Sequence, residues 1–537
     1  MATAKPQRQK DGRTFKSLTE KDIDFIKKTQ AKKNKNWTER MTILSKYFNV
    51  DERNVRRWMA KLKMTNPTIV EPEEYTKAKK RKLDKSKKYY LISWSQNNTP
   101  IHEDFFKNMK AYAKYLDADI HIILGRYKNP TSVFQDSDKE FWHPEVLPYA
   151  DAKRHNLHKN LAILSDIKVQ PTATMALSGM ESITGQESCI VGFPKTQLKV
   201  CATLRGYEPK IMMTTGACTV ENYTDSKAGK KGEFHHTLGF VIVEIKDNNT
   251  FFARQVTATN KGTFIDLWNS VEDGKVKRSS PILGAVLSDK HIGQECPLVE
   301  VQQRKLLDVM KPKYTMIHDV FDGRSVNGHI QNDVIEQYHL EMSNRNNLQK
   351  EIDEMLSYLE SIQKYNPVIV ASNHNDWLDR VIRKGELVKS GIKNFATLNK
   401  LTQVALEGKA KKGLIAHIID QHFNGKIKTL GYNESFRIGG KSGFECSQHG
   451  NKSANGAKGS PNSFRSVTKY CLGHTHAPFR LEGVIYAGTS TRLDLDYVSG
   501  LSSWLNADII INSDCKAQQI IYLGKNKEFT TFKFPKK

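Results

Sequence analysis

Three short apolar segments in the second half of the chain are each followed closely by residues of the types that commonly bind metal ions in proteins. The segments cover residues 282–287, 313–317 and 367–371. The residues that follow them are, in order, Asp289 and His291, Asp319 and Asp322, and Asn373 and His374. Short apolar runs bounded by polar residues are typical of buried strands. Because open α/β sheets gather ligands at the carboxyl ends of their strands, the pattern predicts an α/β fold with one convergent site.

Two later motifs add further imidazoles to this series. Residues 445–450 contain His449, and residues 470–477 contain His474 and His476 in the order Gly-His-Thr-His. An isolated Asp-x-His or His-x-His motif usually occurs by chance on the surface or in the core and has no function in metal binding. Five such motifs in succession, three of them at predicted strand ends, indicate a metal site.

The order Asp-x-His, Asp-x-x-Asp, Asn-His, His, Gly-His-x-His resembles the signature of the calcineurin-like metallophosphoesterases. The resemblance covers residues 282 to about 490. It implies a β-sandwich flanked by helices in the C-terminal part of the chain. The elements Asn-His-x-Asp and Gly-His-Thr-His are most similar to the double-strand-break-repair nuclease branch of that superfamily.

The resemblance also implies a set of ligands for two divalent metal ions. Asp319 would bridge the two ions. One ion would be held by Asp289, His291 and His476, and the other by Asn373, His449 and His474. Imidazoles and hard oxygens without a thiolate suit Mn best here, with Mg, Fe or Zn as alternatives.

His374 resembles the histidine of the family that protonates or stabilises the leaving oxygen. Asp322 or Asp376 would orient that histidine, since outer carboxylates commonly fix the rings of catalytic histidines. The resemblance therefore makes His374, Asp322 and Asp376 the candidate catalytic residues.

The sequence departs from the family pattern at two positions. His318 stands where the family usually has glycine, and Asn375 stands where an acidic residue usually follows the catalytic histidine. His318 would crowd the turn or add a contact behind the ligands. His449 is preferred as a ligand over His417 and His422, which precede the same glycine-rich stretch.

Charge is concentrated at the start of the chain. The formal net charge is +25, and residues 1–90 hold 26 lysines and arginines against 11 aspartates and glutamates. Such asymmetry is typical of a protein that binds a polyanion, most often nucleic acid. A solubilising basic arm is the alternative.

Three helices are predicted before residue 66. A capping box at residues 17–20 begins the first, the second begins at Thr38, and the third begins at Asp51. The third exposes polar and basic residues, namely Arg53, Asn54, Arg56, Arg57 and Lys61. These residue types contact phosphates and base edges from a major-groove helix, so the segment resembles a helix-turn-helix module. A helical docking domain with solvated charges remains an alternative.

The whole chain divides into four predicted parts. Residues 1–66 form the helix-turn-helix-like module, and residues 67–88 form a basic linker with little to bury. Residues 89–280 contain a βαβ pattern and form an α/β domain of unassigned role. Residues 281–537 form the metallophosphoesterase domain.

The spacing of the cysteines and the hydropathy of the chain predict where in the cell the protein is located. The seven cysteines lie far apart, and no run of about 18 apolar residues occurs. We expect a cytoplasmic protein that does not contact a membrane. The family resemblance suggests that its subunits associate into homo-oligomers.

Basic charge and the predicted helix-turn-helix favour DNA as the substrate. The combination also resembles the pre-early DNases of T-odd coliphages, which would imply degradation of the host chromosome in the host cytoplasm. Three alternatives stay open: a small-molecule or cyclic-nucleotide phosphodiesterase, a protein phosphatase, and a DNA-binding regulator or DNA-transfer factor with a non-catalytic hydrolase domain.

Overall fold

The structure is a computed structural model that describes residues 18–30, 37–62, 81, 83–129, 141–465, 468–495 and 498–535. At residues 37, 38, 53, 60 and 61 it describes the backbone but not the side chain. Most of the linker predicted over residues 67–88 therefore lies outside the described residues. In the part of the chain that is described, no helix is long and apolar enough to cross a membrane.

The α-helices of the described residues are numbered in chain order. They are α1 (Glu20–Gln30), α2 (Trp37–Phe48), α3 (Glu52–Lys61), α4 (Glu103–Leu116), α5 (Lys227–His235), α6 (Pro297–Met310), α7 (Val334–Met342), α8 (Leu348–Ile362), α9 (Asp376–Arg383), α10 (Phe395–Leu406) and α11 (Leu414–Phe423).

The strands of the first half precede Gly284. They are β1 (Tyr89–Gln96), β2 (Asp119–Gly125), β3 (Ala150–Asp151), β4 (Arg154–His158), β5 (Leu161–Leu164), β6 (Ser188–Val191), β7 (Gln197–Cys201), β8 (Lys210–Thr214), β9 (Gly239–Ile245), β10 (Phe251–Thr257), β11 (Phe264–Asp266), β12 (Asn269–Glu272) and β13 (Lys275–Arg278). The later strands are β14 (Gly284–Leu287), β15 (Tyr314–Ile317), β16 (Pro367–Val370), β17 (Lys428–Leu430), β18 (Arg437–Ile438), β19 (Phe444–Glu445), β20 (Tyr470–Leu472), β21 (Phe479–Leu481), β22 (Val484–Tyr486), β23 (Ala507–Ile511) and β24 (Ala517–Ile521).

A six-stranded sheet has the order β17-β16-β15-β14-β23-β24. Its strands β14 to β17 are parallel, and β23 adds to β14 in the antiparallel direction. Every residue of β14 and β16 is buried. Continuous apolar strands of this kind belong to sheets that are covered on both faces.

The two faces of this sheet have different neighbours. Leu287 and Ile317 face a core built mainly from helices, which includes Leu306 of α6 and Met355 of α8. On the other face, residues such as Val286 share a core with side chains of a second sheet, including Phe444, Cys471 and Ile485. Two sheets thus pack face to face, with helices on the outer side of one of them. This arrangement confirms the mixed α/β class.

The second sheet has ten strands in the order β18-β19-β20-β22-β21-β7-β8-β6-β5-β4. It crosses the boundary predicted at residue 280, because β21 pairs with β7 and aligns Arg480 with Leu198. The strands from residues 154–214 therefore extend the sandwich instead of closing a sheet of their own. Pairing between segments so distant in sequence leaves no local pattern, so composition alone could not reveal it.

The remaining strands form two smaller sheets. A five-stranded sheet has the order β10-β9-β1-β2-β3, and a three-stranded sheet has the order β11-β12-β13. Within the larger one, β1 and β2 are parallel and α4 connects them. This is the predicted βαβ unit.

The helices α1, α2 and α3 form a small core of their own around Ile26, Phe48 and Trp58. Asn49 has a φ of 51°, a left-handed conformation that asparagine tolerates, and so allows the tight turn between α2 and α3. The predicted capping box at residues 17–20 depends on Ser17, which lies outside the described residues. The reciprocal bonds join Thr19 and Asp22, where the Asp22 amide donates to Thr19 Oγ1 at 3.2 Å and the Thr19 amide donates to Asp22 Oδ2 at 2.9 Å.

Candidate metal centre

The candidate metal ligands all follow strands of the two packed sheets. Asp289 and His291 follow β14, Asp319 follows β15, Asn373 follows β16, His449 follows β19, and His474 and His476 follow β20. The first three strands are parallel neighbours in one sheet, and β19 and β20 are parallel neighbours in the other. Packing of the sheets brings the two sets of loops together at one edge of the sandwich.

Four of these residues have a left-handed backbone. The φ angles are 46° at His291, 43° at Asp319, 78° at His474 and 55° at His476. Non-glycine residues rarely adopt this conformation, which costs about 1–3 kcal/mol each and persists where the surroundings enforce it. Such strain clusters at functional sites, so its presence at four candidate ligands supports a functional role.

The first group of side chains consists of Asp289, His291, Asp319 and His476, all of them buried. His476 Nε2 lies 3.1 Å from Asp289 Oδ2 and 3.1 Å from His291 Nε2. Asp319 Oδ2 lies 3.5 Å from His291 Nε2. These donor atoms surround one point and could hold a metal ion.

The second group joins the first through Asp319. Asp319 Oδ2 lies 3.3 Å from His449 Nε2. Asn373 Oδ1 lies 2.9 Å from the same His449 nitrogen and 3.0 Å from His474 Nδ1. The sequence proposed His417 and His422 as competitors for the place of His449, but both lie on α11, where His422 pairs with Glu360 at 2.8 Å.

Unpartnered atoms test whether a cation fits this cluster. Among the described residues, Asp289 Oδ1 and Asp319 Oδ1 are buried carboxylate oxygens with no hydrogen-bond donor. Buried charges are normally paired or coordinate metals, because leaving one unpaired is costly. The donor set therefore fits a divalent cation.

The ionisation of the cluster is consistent with cation binding. Burial alone would raise the pKa of Asp289 and Asp319, but His449 and the other facing histidines hold the pKa of both carboxyls below the usual range. Burial lowers the pKa of His449, and the two carboxylates more than reverse this, so its pKa is raised. Burial and His449 lower the pKa of His474 to about 4, which leaves it as the neutral imidazole that metals bind.

His318 lies behind the ligands and does not disrupt the turn. Its Nδ1 lies 3.3 Å from His449 Nδ1, and it is fully buried. Burial and the charge of His449 lower the pKa of His318 to about 4. It also belongs to a group of donors with Asp289 and His449 that could hold an ion. Of the two predicted effects of this residue, the structure favours the contact behind the ligands.

His374 is held beside the cluster by Asp322. The His374 Nδ1–H donates to the backbone carbonyl of Asp322 at 2.8 Å, and the His374 and His291 rings are 4.2 Å apart. The Asp322 carboxylate accepts from His291 Nδ1 at 3.0 Å. Asp376 contacts other partners, since it accepts from Tyr432 Oη at 3.0 Å and from Lys452 Nζ at 3.1 Å. Of the two predicted orienting residues, Asp322 is the one bonded to His374, through its backbone carbonyl, while its carboxylate lies 3.9 Å from His374 Nδ1.

Two arginines beside Asp322 were missed by sequence reasoning. Arg324 is 7% exposed and pairs with Glu336 at 3.3 Å. With its amide oxygen turned toward the guanidinium groups, Gln294 accepts from Arg324 at 3.0 Å and also from Arg345. Neither arginine belongs to a motif, and Arg345 comes from a different loop, so no sequence signal identifies the pair. They place positive charge next to the candidate metal centre.

The predicted DNA-binding residues lie on α3, as expected. Arg57 is exposed, and Asn54 and Arg56 are half-buried. Arg56 lies 3.5 Å from Glu52 of the same helix. The side chains of Arg53 and Lys61 lie outside the described residues. The described part of α3 thus offers Arg57 and Asn54 as its most available contacts.

Comparison with known proteins adds one relationship. Over 472 residues the chain is 29% identical to Protein A1 of Escherichia phage T5, and the aligned part covers 83% of each chain. The chain is similar to a phage protein. No family model matches it, and no solved structure matches it.

A glycine next to the ligands offers a test that substitutes none of the ligand residues. A Cβ atom at Gly473 would lie 2.2 Å from Asp289 Oδ1 and 3.0 Å from the His318 ring. Gly473→Ala must therefore displace Asp289, and we expect metal affinity to fall roughly 10–100-fold, as when ligand positioning is lost. Calorimetric titration of metal-free protein with Mn²⁺ measures this.

The matched control is Gly328→Ala, whose new Cβ would make only an ordinary contact of 3.5 Å with Trp377. Equal Mn²⁺ affinity for the two variants would show that Asp289 does not hold the ion.

Proposed function

We propose that the chain is a two-metal-ion DNase that hydrolyses phosphodiester bonds of DNA. The observation that carries the proposal is the pair of buried, unpartnered carboxylate oxygens on Asp289 and Asp319, ringed by histidines. A site built only for stability would not bury two ionised carboxylates with free oxygens.

The candidate ligands would hold two ions, with Asp319 shared between the two groups. Its Oδ2 lies between the two groups, 3.5 Å from His291 Nε2 and 3.3 Å from His449 Nε2. Asp289, His291 and His476 would hold one ion, and Asn373, His449 and His474 would hold the other. The mixture of hard oxygens and imidazoles favours Mn, and Mg, Fe or Zn remain compatible. The chemistry supplied by bound ions is activation of a water and neutralisation of phosphate charge.

In its imidazolium form, protonated on both ring nitrogens, His374 would give its Nε2 proton to the leaving oxygen. Because a backbone carbonyl can only accept, the bond to Asp322 fixes the proton of His374 on Nδ1 and leaves Nε2 for the substrate. His291, a ligand, is held by the carboxylate of the same Asp322. One residue therefore positions both a ligand and the general acid.

Charge makes DNA the preferred substrate. The chain carries a net charge of +25, and Arg324 and Arg345 lie beside the reaction site. Lysine and arginine neutralise phosphates of the DNA backbone and release counterions. Similarity to a phage protein supports a finer proposal, in which an early phage protein, as a homo-oligomer in the host cytoplasm, degrades host DNA.

The experiment that tests the proposal compares substrates under one condition. Mn²⁺-loaded protein is given duplex DNA, bis-p-nitrophenyl phosphate, a cyclic nucleotide and a phosphopeptide. We expect hydrolysis of DNA and of the small diester. Hydrolysis of the cyclic nucleotide or the phosphopeptide alone would assign the site to a small-molecule phosphodiesterase or a protein phosphatase.

The role of α3 is tested separately from catalysis. We expect Arg57→Gln to weaken binding to duplex DNA and to reduce the slope of log affinity against log salt by about 1, the value for one lost phosphate contact. Hydrolysis of bis-p-nitrophenyl phosphate should not change. Fluorescence anisotropy of a labelled duplex over a salt series provides both numbers.

The control for this variant is Lys305→Gln, which removes one exposed charge from α6. If both variants bind DNA with the same salt slope, α3 does not contact DNA, and the helical docking domain becomes the better interpretation.

A further inference from the structure

A cavity lies away from the candidate metal centre. Its volume is about 520 Å³, and Lys469 at its wall directly precedes β20. The candidate ligands His474 and His476 follow the other end of that strand. The residues that line the cavity include none of the candidate metal ligands. The cavity and the metal centre are therefore separate places on the same sheet.

The wall of this cavity is strongly cationic. Among the wall residues that the structure describes, the one carboxylate is Glu482, which accepts from Arg465 at 2.8 Å and lies 3.2 Å from His235. Among the described residues, the other basic groups of the wall have no ion-pair partner; they are Lys441, Lys469, Arg480 and Lys516. Asp514 lies near Lys516 but forms no ion pair with it, and burial raises the pKa of its carboxyl.

Arg480 shows most clearly that a partner is missing. It is 5% exposed, its Nη1 donates to the Ala517 carbonyl at 3.2 Å, and its Nε is buried without an acceptor. Buried guanidinium groups are normally paired with an anion, because an unpaired buried charge is unfavourable. Burial lowers the pKa of Arg480 to about 10, and burial together with Lys469 lowers the pKa of Lys516. An anion bound in the cavity would compensate the positive charge of both side chains.

We propose that this cavity binds a phosphate group carried by a ligand of nucleotide size. Arginine and lysine are the side chains that bind phosphate by charge-assisted hydrogen bonds. The volume lies within the range of about 300–1,000 Å³ that is usual for small-ligand sites. Phe234 at the wall is 83% exposed, and such an exposed ring can stack on a base. The phosphate comes from a free nucleotide or from the end of a DNA strand.

The test uses the full-length protein in EDTA, so that the metal centre does not contribute. Calorimetric titrations compare inorganic phosphate, thymidine, thymidine monophosphate and a short oligonucleotide with or without a 5′-phosphate. We expect the phosphorylated ligands to bind and thymidine not to bind. Binding of the monophosphate identifies a nucleotide site, and binding of the phosphorylated oligonucleotide alone identifies a strand-end site.

Substitutions in the cavity wall test whether the phosphorylated ligands bind there. Arg480→Gln and Lys516→Gln should each weaken phosphate-ligand binding roughly 10- to 100-fold, the effect of losing one charge-assisted hydrogen bond. Lys516 is only partly buried, so Lys516→Gln keeps the test informative if Arg480→Gln does not fold. Lys305→Gln on α6 is the charge-matched control.

The proposal is overturned if no phosphorylated ligand binds at millimolar concentration, or if Lys516→Gln binds as tightly as Lys305→Gln. Because EDTA removes the metal, a failure of the proposed DNase activity leaves this result unaffected.

Discussion

Replacing His374 with alanine is expected to lower the turnover of DNA cleavage by roughly 10²–10⁴, the range for losing a general acid. His374 is not assigned as a ligand, and its Nδ1 bonds to a backbone carbonyl. Mn²⁺ affinity and DNA affinity should therefore remain close to those of the wild type. Single-turnover cleavage at saturating enzyme isolates the chemical step from binding.

A matched control is His422→Ala, which removes an exposed histidine on α11. A second measurement uses a substrate whose leaving group needs no proton, such as bis-p-nitrophenyl phosphate, and there His374→Ala should lose much less activity. Unchanged DNA turnover in His374→Ala would remove this histidine from the mechanism.

Replacing Asp319 with asparagine is expected to have the largest effect of any single substitution. Asp319 Oδ2 lies within 3.5 Å of a histidine from each ligand group, so the change removes the charge that both ions share. Because metal ions supply several kcal/mol of transition-state stabilisation, the rate should fall by roughly 10³-fold or more. Metal content measured by mass spectrometry should fall from two ions per chain.

Asp353→Asn on α8 is the control, since it neutralises an exposed aspartate outside the cluster. Asp319→Asn protein that retained two ions and full activity would contradict the bridging assignment.

The candidate site was predictable because its parts are local in sequence. Each strand is a short apolar run, and each ligand follows such a run within a few residues. Carboxyl ends of parallel strands meet at one edge, so convergence follows from the topology. The structure brings Asp289, His291 and Asp319 together in this way, and His476 joins their buried group from the second sheet.

The residues that were missed come together only through distant contacts. Arg324 and Arg345 meet through Gln294, which follows a different strand. The cationic cavity joins Lys469, Arg480 and Lys516 from three separate segments. A sequence that is read segment by segment contains no signal for such groupings.

The pairing of strands across the predicted boundary at residue 280 could not be predicted for a related reason. The apolar and charge patterns distinguish residues 89–280 from the rest, but the edge of β21 pairs with β7 and continues the sheet. Strand order depends on which edges remain free after folding, and local propensity does not determine it.

The measurement that tests the two-metal DNase proposal most directly is cleavage of linear and circular duplex DNA by the purified protein in EDTA, Mg²⁺ or Mn²⁺, beside Asp319→Asn. We expect Mn²⁺-dependent degradation by the wild type and none by the variant or in EDTA. Cleavage of the circle would in addition assign endonuclease activity. Metal-loaded wild-type protein that binds DNA and never cuts it would contradict the proposal.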